Sequence, residues 1–285
     1  MQDQAQNPLP PPRRGPPKSR MQRLLGRAKR ARCLIKGADP AAKLKLGGYL
    51  AWDLAHHTLG VPVRPFDMRL NLSGLDVTVR AFSSQLGAYT DIFHLGEYER
   101  VPGFTSARGD IVVDAGANAG FFTLRHAPMV GPSGRVYAFE PNAEVLELLE
   151  RNVRVNGLSQ VRAFKKALSE RSGVIRFSSD QRTTSCGHVS TEGEGGELVE
   201  CTTLDELVEQ EQLPRIDLLK MDVEGHEPHV VRGGMRRALA ITRRIVMESH
   251  LTRDEVWRLL EPLGFEKVYD GFSPNVVYFA RPAIK

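Results

Sequence analysis

Two acids at the ends of apolar runs, with two glycines and an asparagine between them, are the residues here best placed for chemistry. Ile111-Val112-Val113 leads into Asp114-Ala115-Gly116-Ala117-Asn118-Ala119-Gly120, and Arg135-Val136-Tyr137-Ala138-Phe139 leads into Glu140-Pro141-Asn142. That is the outline of a nucleoside-binding βαβ unit. Glycines let a backbone turn approach a ligand, and an acid closing the second strand can accept both hydroxyls of a ribose. The plain alternative is an α/β turn whose glycines serve geometry alone.

What the turn lacks narrows the ligand. Asn118 stands where a G-x-G-x-x-G motif has its second glycine, and the loop has no Walker lysine. A pyrophosphate is therefore not the expected guest. An acid at the entrance suits a cationic, phosphate-free nucleoside. S-adenosyl-L-methionine fits: its ammonium and sulfonium are positive, and its carboxylate can use helix amides. Asp114, Gly116, Asn118 and Gly120 are expected to shape the methionine side, Glu140 to hold the ribose, and Lys166-Ala167-Leu168 to flank the adenine.

A second cluster follows the strand expected over 216–221, in Asp222-Val223-Glu224-Gly225-His226-Glu227, and a third is Glu248-Ser249-His250 after Ile245-Val246-Met247. Ligands of open α/β sheets sit at the carboxyl ends of strands. Asp222 is expected beneath the transferred methyl. Glu224 and Glu227 read equally as helix caps or site groups. His226 and His250 are candidate bases for a hydroxyl acceptor, and each reads equally as a capping or surface histidine. The carboxylates on this rim are of a kind that magnesium accepts, although no metal ion is expected.

These ends must be positioned by alternating elements. Strands are expected over 111–114, 135–140, 161–165, 216–221 and 244–248, with helices over 119–129, 142–155 and about 228–239 between them. The runs 265–269 and 276–280 are joined by a turn and must be antiparallel. The expected class is α/β: a seven-stranded, mostly parallel, Rossmann-like sheet with one antiparallel strand and helices on both faces, the class I methyltransferase arrangement. Val174–Phe177 and Leu198–Thr202 read as strands flanking a polar insertion. Met68–Leu72 and Leu75–Val79 alternate as a β-hairpin.

Composition bounds the rest. The 285 residues carry a net charge of +5, but residues 1–47 hold twelve basic against two acidic groups, leaving 27 basic and 32 acidic in the remainder. The body is acidic, which argues against a nucleic-acid groove. Residues 1–20 are rich in proline and arginine and are expected to be disordered. Residues 21–100 are expected to form a helical and hairpin cap, and 101–285 the catalytic domain. The basic amphipathic stretch 21–36 is expected to pack on the domain, with weak peripheral membrane contact as the alternative. No apolar run reaches membrane-spanning length, and no secretory signal is legible. The scattered Cys33, Cys186 and Cys201 argue against a disulfide scaffold. A cytoplasmic location is the expectation. Oligomeric state is not legible.

The stretches 114–124, 136–141, 152–158 and 216–227 (I-D-L-L-K-M-D-V-E-G-H-E) together resemble the FkbM family of methyltransferases, over about Thr90–His250. The resemblance implies an S-adenosylmethionine-dependent O-methyltransferase that transfers a methyl to a hydroxyl, or to a carboxyl that would need no base, of a small molecule in natural-product or glycan pathways. It also implies that Pro141 belongs to the cofactor site and that Glu97 and Tyr98 fold over the cofactor. His226 departs from the family, which commonly has a small residue there. Two other readings compete. An N-methyltransferase acting on base amines would carry an (N/D)-P-P-(Y/F) turn where this chain has Asp222-Val223-Glu224. An inactive methyltransferase fold used for binding would not need Gly116, Gly120 and Glu140.

Overall fold

The computed structural model describes residues 65–72, 75–81, 85–179, 187–189, 196–249, 252–268 and 275–282. The leader, the basic stretch 21–36, Cys186 and His250 lie outside the described residues. Strands β1 (Phe66–Leu72) and β2 (Leu75–Ala81) pair antiparallel, Phe66 opposite Ala81, as the hairpin pattern predicts. A short α1 (Leu86–Tyr89) runs on into a π-helical turn, Thr90–His94.

The βα alternation then builds the main sheet. Its strands are β3 (Ile111–Ala115), β4 (Arg135–Phe139), β5 (Val161–Phe164), β10 (Ile216–Met221), β11 (Thr242–Glu248), β12 (Glu266–Val268) and β13 (Val276–Ala280), in the order β12-β13-β11-β10-β3-β4-β5. β13 runs against both its neighbours; the other pairings are parallel. The central strands are buried on both faces. Val112, Val136, Leu218 and Val246 point into one apolar cluster, and Val113, Tyr137, Leu219 and Ile245 into another. That explains the nearly continuous apolar runs in sequence.

Helices α2 (Phe121–Val130), α3 (Ala143–Val155), α4 (Leu204–Gln210), α5 (Glu227–Arg232) and α6 (Arg253–Leu260) connect the strands. Asn142 caps α3 by accepting from the Val145 amide at 3.0 Å, and Thr203 caps α4 by accepting from the Glu206 amide at 3.0 Å. The helix expected over 228–239 is shorter than its periodicity suggests, because α5 stops at Arg232. A side chain at Gly233 would lie 2.0 Å from the Ser169 carbonyl oxygen, so the chain passes too close there for a helix face carrying β-carbons. Beyond it the Asp205 carboxylate accepts from the amides of Arg236, Arg237 and Ala238 at 3.1, 2.8 and 2.7 Å, satisfying donors that a helix would have paired.

The two strands expected around the insertion belong to a second sheet. β7 (Gly173–Ser179) pairs antiparallel with β9 (Glu197–Thr202), and β6 (Ala167–Leu168) and β8 (Gly187–Val189) complete the order β6-β9-β7-β8. β6 and β8 are too short for periodicity to reveal. The hairpin and α1 are continuous with the body rather than a separate cap. Val79, Tyr89, Ile92, Phe93 and Tyr98 share one cluster with Phe121, Phe122 and Leu124. Asn152 on α3 clamps the hairpin, its Oδ1 accepting from the Arg80 amide at 2.6 Å and its Nδ2 donating to the Arg80 carbonyl at 3.0 Å. Among the described residues, no helix is long and apolar enough to cross a membrane.

Candidate active site

The carboxyl ends of β3, β4, β10 and β11 open into a cleft of about 290 Å³, close to the lower bound of about 300 Å³ for small-molecule sites. The loop after β3 sets its floor. The amides of Gly116 and Ala117 both donate to the Phe139 carbonyl, at 3.1 and 2.9 Å, and the Asp222 amide donates to the Ala115 carbonyl at 3.1 Å. Gly116 is at φ +75°, and a β-carbon there would meet the Asp222 carbonyl oxygen at 2.0 Å. Only glycine lets the first loop lie this close to the end of β10. Gly120, at φ +89°, plays the same part against Leu149 of α3, where a β-carbon would lie 2.4 Å from Cδ1.

Glu140 ends β4 with its carboxylate on the cleft wall. Its Oε2 accepts from the Asn118 amide and its Oε1 from the Asn142 amide, each at 2.9 Å. Burial pushes its pKa up to about 7, against the pull of those two amides. A carboxylate has about four lone-pair sites, so two amides leave capacity for a diol. Asn118 itself is left-handed, at φ +52°, and its Oδ1 accepts from Gln85 Nε2 at 2.6 Å.

Tyr98, Asp222 and Glu248 meet at the other end. The Tyr98 hydroxyl is 3.3 Å from Asp222 Oδ2 and 3.2 Å from Glu248 Oε2. Burial, and then the negative charge of Asp222, pushes the Glu248 pKa up to about 8. Beneath them lies Lys220, only 3% exposed. Its ammonium sits 3.1 Å from Asp114 Oδ1 and 4.0 Å from Asp222 Oδ2, and donates to the Gly116 carbonyl at 2.7 Å. Burial works against its charge, but Asp114 and Asp222 outweigh it and hold its pKa above the ordinary lysine value.

Of the residues singled out in sequence, Tyr98, Gly116, Asn118, Glu140, Pro141, Ala167, Asp222 and His226 come together on the cleft wall. Asp114 is one layer behind, fully buried, accepting from Thr123 Oγ1 at 2.7 Å. Gly120 also lies behind the wall. Glu97 is beside it, with its carbonyl accepting from the Tyr278 hydroxyl. His226 Nε2 is 3.0 Å from Ser169 Oγ, and burial, helped by His229, lowers its pKa to about 4. Glu227 caps its own loop, accepting from the Gly225 amide at 3.1 Å and from Thr252 Oγ1 at 2.6 Å. Among the described residues, no group of three acid, histidine or cysteine side chains is arranged to hold a metal ion.

Sequence reasoning gave no role to Lys220, and noted Glu248 only as a rim carboxylate of the kind that a divalent cation accepts. The signal for Lys220 was a cation inside the apolar run I-D-L-L-K-M, opposite Asp114 in the parallel pairing of β10 with β3. The wall also takes Ala88, Asp91 and Ile92 from the segment after the hairpin, and Phe177, Gly187 and Val189 from the second sheet. Gly187 falls in the stretch 183–188, which reads in sequence either as lining the acceptor side or as a plain loop; the other contacts depend on non-local packing and left no local pattern.

Known proteins resemble this chain in a consistent way. Residues 114–272 match the model of the methyltransferase FkbM domain. Hexuronic acid methyltransferase AglP of Haloferax volcanii is 35% identical over 155 residues, which is 53% of this chain and 61% of AglP. The 2-O-methyltransferase NoeI of Sinorhizobium fredii is 27% identical over 155 residues, 48% of this chain and 62% of NoeI. The chain thus spans less than two thirds of either relative. A solved methyltransferase FkbM from Methylobacillus flagellatus covers 90% of this chain and 60% of its own at 13% identity, with a TM-score of 0.46, too loose a likeness to carry an argument.

Proposed function

This chain belongs to the FkbM methyltransferase family, and from that premise we propose that it transfers a methyl group from S-adenosylmethionine to a hydroxyl (or carboxyl) of a small molecule of glycan or natural-product type. The enzyme class and the S-adenosylmethionine dependence come with the family. The acceptor class draws on the names of AglP and NoeI: a hexuronic acid offers both hydroxyls and a carboxyl, and a 2-O position is a hydroxyl oxygen.

The observation that carries the reading is the Glu140 carboxylate, fixed by the Asn118 and Asn142 amides and presented to the cleft. The donor set fits the cofactor. Glu140 would take the ribose hydroxyls, the 116–118 loop would follow the methionine portion, and Lys166-Ala167-Leu168 with Pro141 would bound the adenine. When bound, S-adenosylmethionine supplies a methyl already activated on a sulfonium. The protein's task is then alignment of the acceptor oxygen in line with that methyl, and orientation of this kind contributes about 7–11 kcal/mol in well-positioned pairs. Tyr98 and Asp222, at the far end of the cleft from the ribose acid, are placed for that task.

The test is S-adenosylmethionine binding to the Glu140→Ala variant. Losing a charged acceptor for two hydroxyls should weaken binding by about 1.5–3 kcal/mol or more, at least tenfold in Kd. Binding at the wild-type Kd in a folded E140A protein would remove the ribose role.

A further inference from the structure

Two carboxylates are held around a single hydroxyl at the acceptor end of the cleft. Tyr98 bridges Asp222 and Glu248 at 3.3 and 3.2 Å, and all three line the wall. They come from separate elements: Tyr98 from the segment after the π-turn, Asp222 from the end of β10, and Glu248 from the end of β11. The parallel pairing of Met221 with Met247 sets the last two side by side. The negative charge of Asp222 adds to burial in favouring the protonated form of Glu248.

We infer that Glu248 accepts the proton of the methyl acceptor while Tyr98, itself held by Asp222, positions the acceptor oxygen, so that the acceptor group is a neutral hydroxyl rather than a carboxylate. This rests on the methyl-transfer reading above. The acceptor oxygen bonds to the methyl carbon as the carbon–sulfur bond breaks, and the electron pair of that bond stays on sulfur, which leaves as a neutral thioether. The hydroxyl proton passes to a Glu248 carboxylate oxygen, giving a methyl ether and a carboxylic acid that later returns its proton to water.

Three features favour Glu248 over its neighbours. Asp222 faces the Lys220 ammonium at 4.0 Å, whereas Asp222, Glu97 and Glu224 act on Glu248 as negative charges, with Tyr98 donating to it and Lys220 near enough to interact. Burial and these acids raise Glu248 to about 8, a proton affinity suited to accepting a proton near neutrality. His226 is engaged with Ser169 and is held at about 4, which makes it a weak base. At this end of the wall Asp222, Glu224 and Glu248 outnumber Lys220, which disfavours an anionic acceptor group relative to a neutral one.

The experiment incubates the full chain with methyl-labelled S-adenosylmethionine and a small-molecule extract of its own cells. Products are analysed by mass spectrometry before and after mild alkali, and cofactor binding is measured by calorimetry in parallel. The label should enter an alkali-stable O-methyl ether. The wild-type rate should rise with pH through about 8, as Glu248 ionises. Glu248→Gln should lose that rise and about 10²–10⁴ of the rate, with the cofactor Kd within threefold of wild type. Glu248→Asp, which keeps a carboxylate, should restore part of the rate. A titrating infrared carboxylic-acid signal present in wild type and missing from folded E248Q would be an independent sign. An alkali-labile ester, an N-methyl product, an E248Q rate and pH profile like wild type, or loss of the pH rise in His226→Gln instead would each overturn the inference while leaving methyl transfer intact. No cofactor binding and no labelled product from wild type would overturn both readings.

Discussion

Lys220 is the side chain on which the geometry of the site most depends. It is buried, yet its ammonium faces Asp114, Asp222 and the Gly116 carbonyl, so one cation ties the first loop to the end of β10. Both Tyr98 and Phe122 turn ring faces toward it, with centroids 5.9 Å away. Removing one partner of a buried pair strands the other's charge in a poor solvent. Lys220→Met should therefore destabilise the protein by about 3–5 kcal/mol in denaturant unfolding, and a double D114N/K220M variant should recover part of the loss. An additive double mutant would mean that the two residues do not act as a pair. Asp114 is then understood as the anchor of this lysine, one layer from the cleft. Its position in the motif was legible in sequence; its partner was not, because the pairing of β10 with β3 brings together residues 106 apart.

At the scale of elements, the main sheet was legible almost strand for strand. Apolar runs ending in acids mark the strands, and the short connection between the last two requires the single reversal; the order across the sheet is fixed by pairings that no local window contains. The misread elements are those whose boundaries depend on distant contacts. The helix after Glu227 has apolar spacing up to Leu239, but Gly233 lies against the Ser169 carbonyl and Asp205 holds the next three amides. Asp205 is only 4% exposed and lies on α4, in another βα unit, so no window around 228–239 contains it. Asp205→Ala should lower stability by about 2–4 kcal/mol, since charge-assisted hydrogen bonds to several backbone donors are lost together. A change below about 0.5 kcal/mol in equilibrium unfolding would show that the Gly233-Gly234 approach alone breaks the helix. The second sheet was half legible for a related reason: β7 and β9 have enough length to read, whereas β6 and β8 are defined by their partners.

For the molecule as a whole, the acidic body, the seven-stranded sheet and the cleft at its carboxyl edge form one arrangement. The hairpin and the segment after it share the apolar cluster of α2, so Gln85, Asp91 and Tyr98 reach the cleft from a part of the chain that sequence reading set apart as a cap. The FkbM match begins at Asp114, so the part of the cleft wall from residues 85–98 lies outside the matched region, and the proposed acceptor is correspondingly the least legible part of the function. Gly116, Asn118 and Glu140, singled out from residue type and spacing, do meet on one wall of the cleft.

The most direct test of the account is calorimetric titration of the full-length protein with S-adenosylmethionine and, separately, with a nicotinamide dinucleotide. Saturable heat is expected with S-adenosylmethionine and none with the dinucleotide, whose pyrophosphate would meet a turn that has Asn118 in place of a phosphate-binding glycine. An absence of heat with millimolar S-adenosylmethionine, or saturable binding of the dinucleotide in its place, would contradict it.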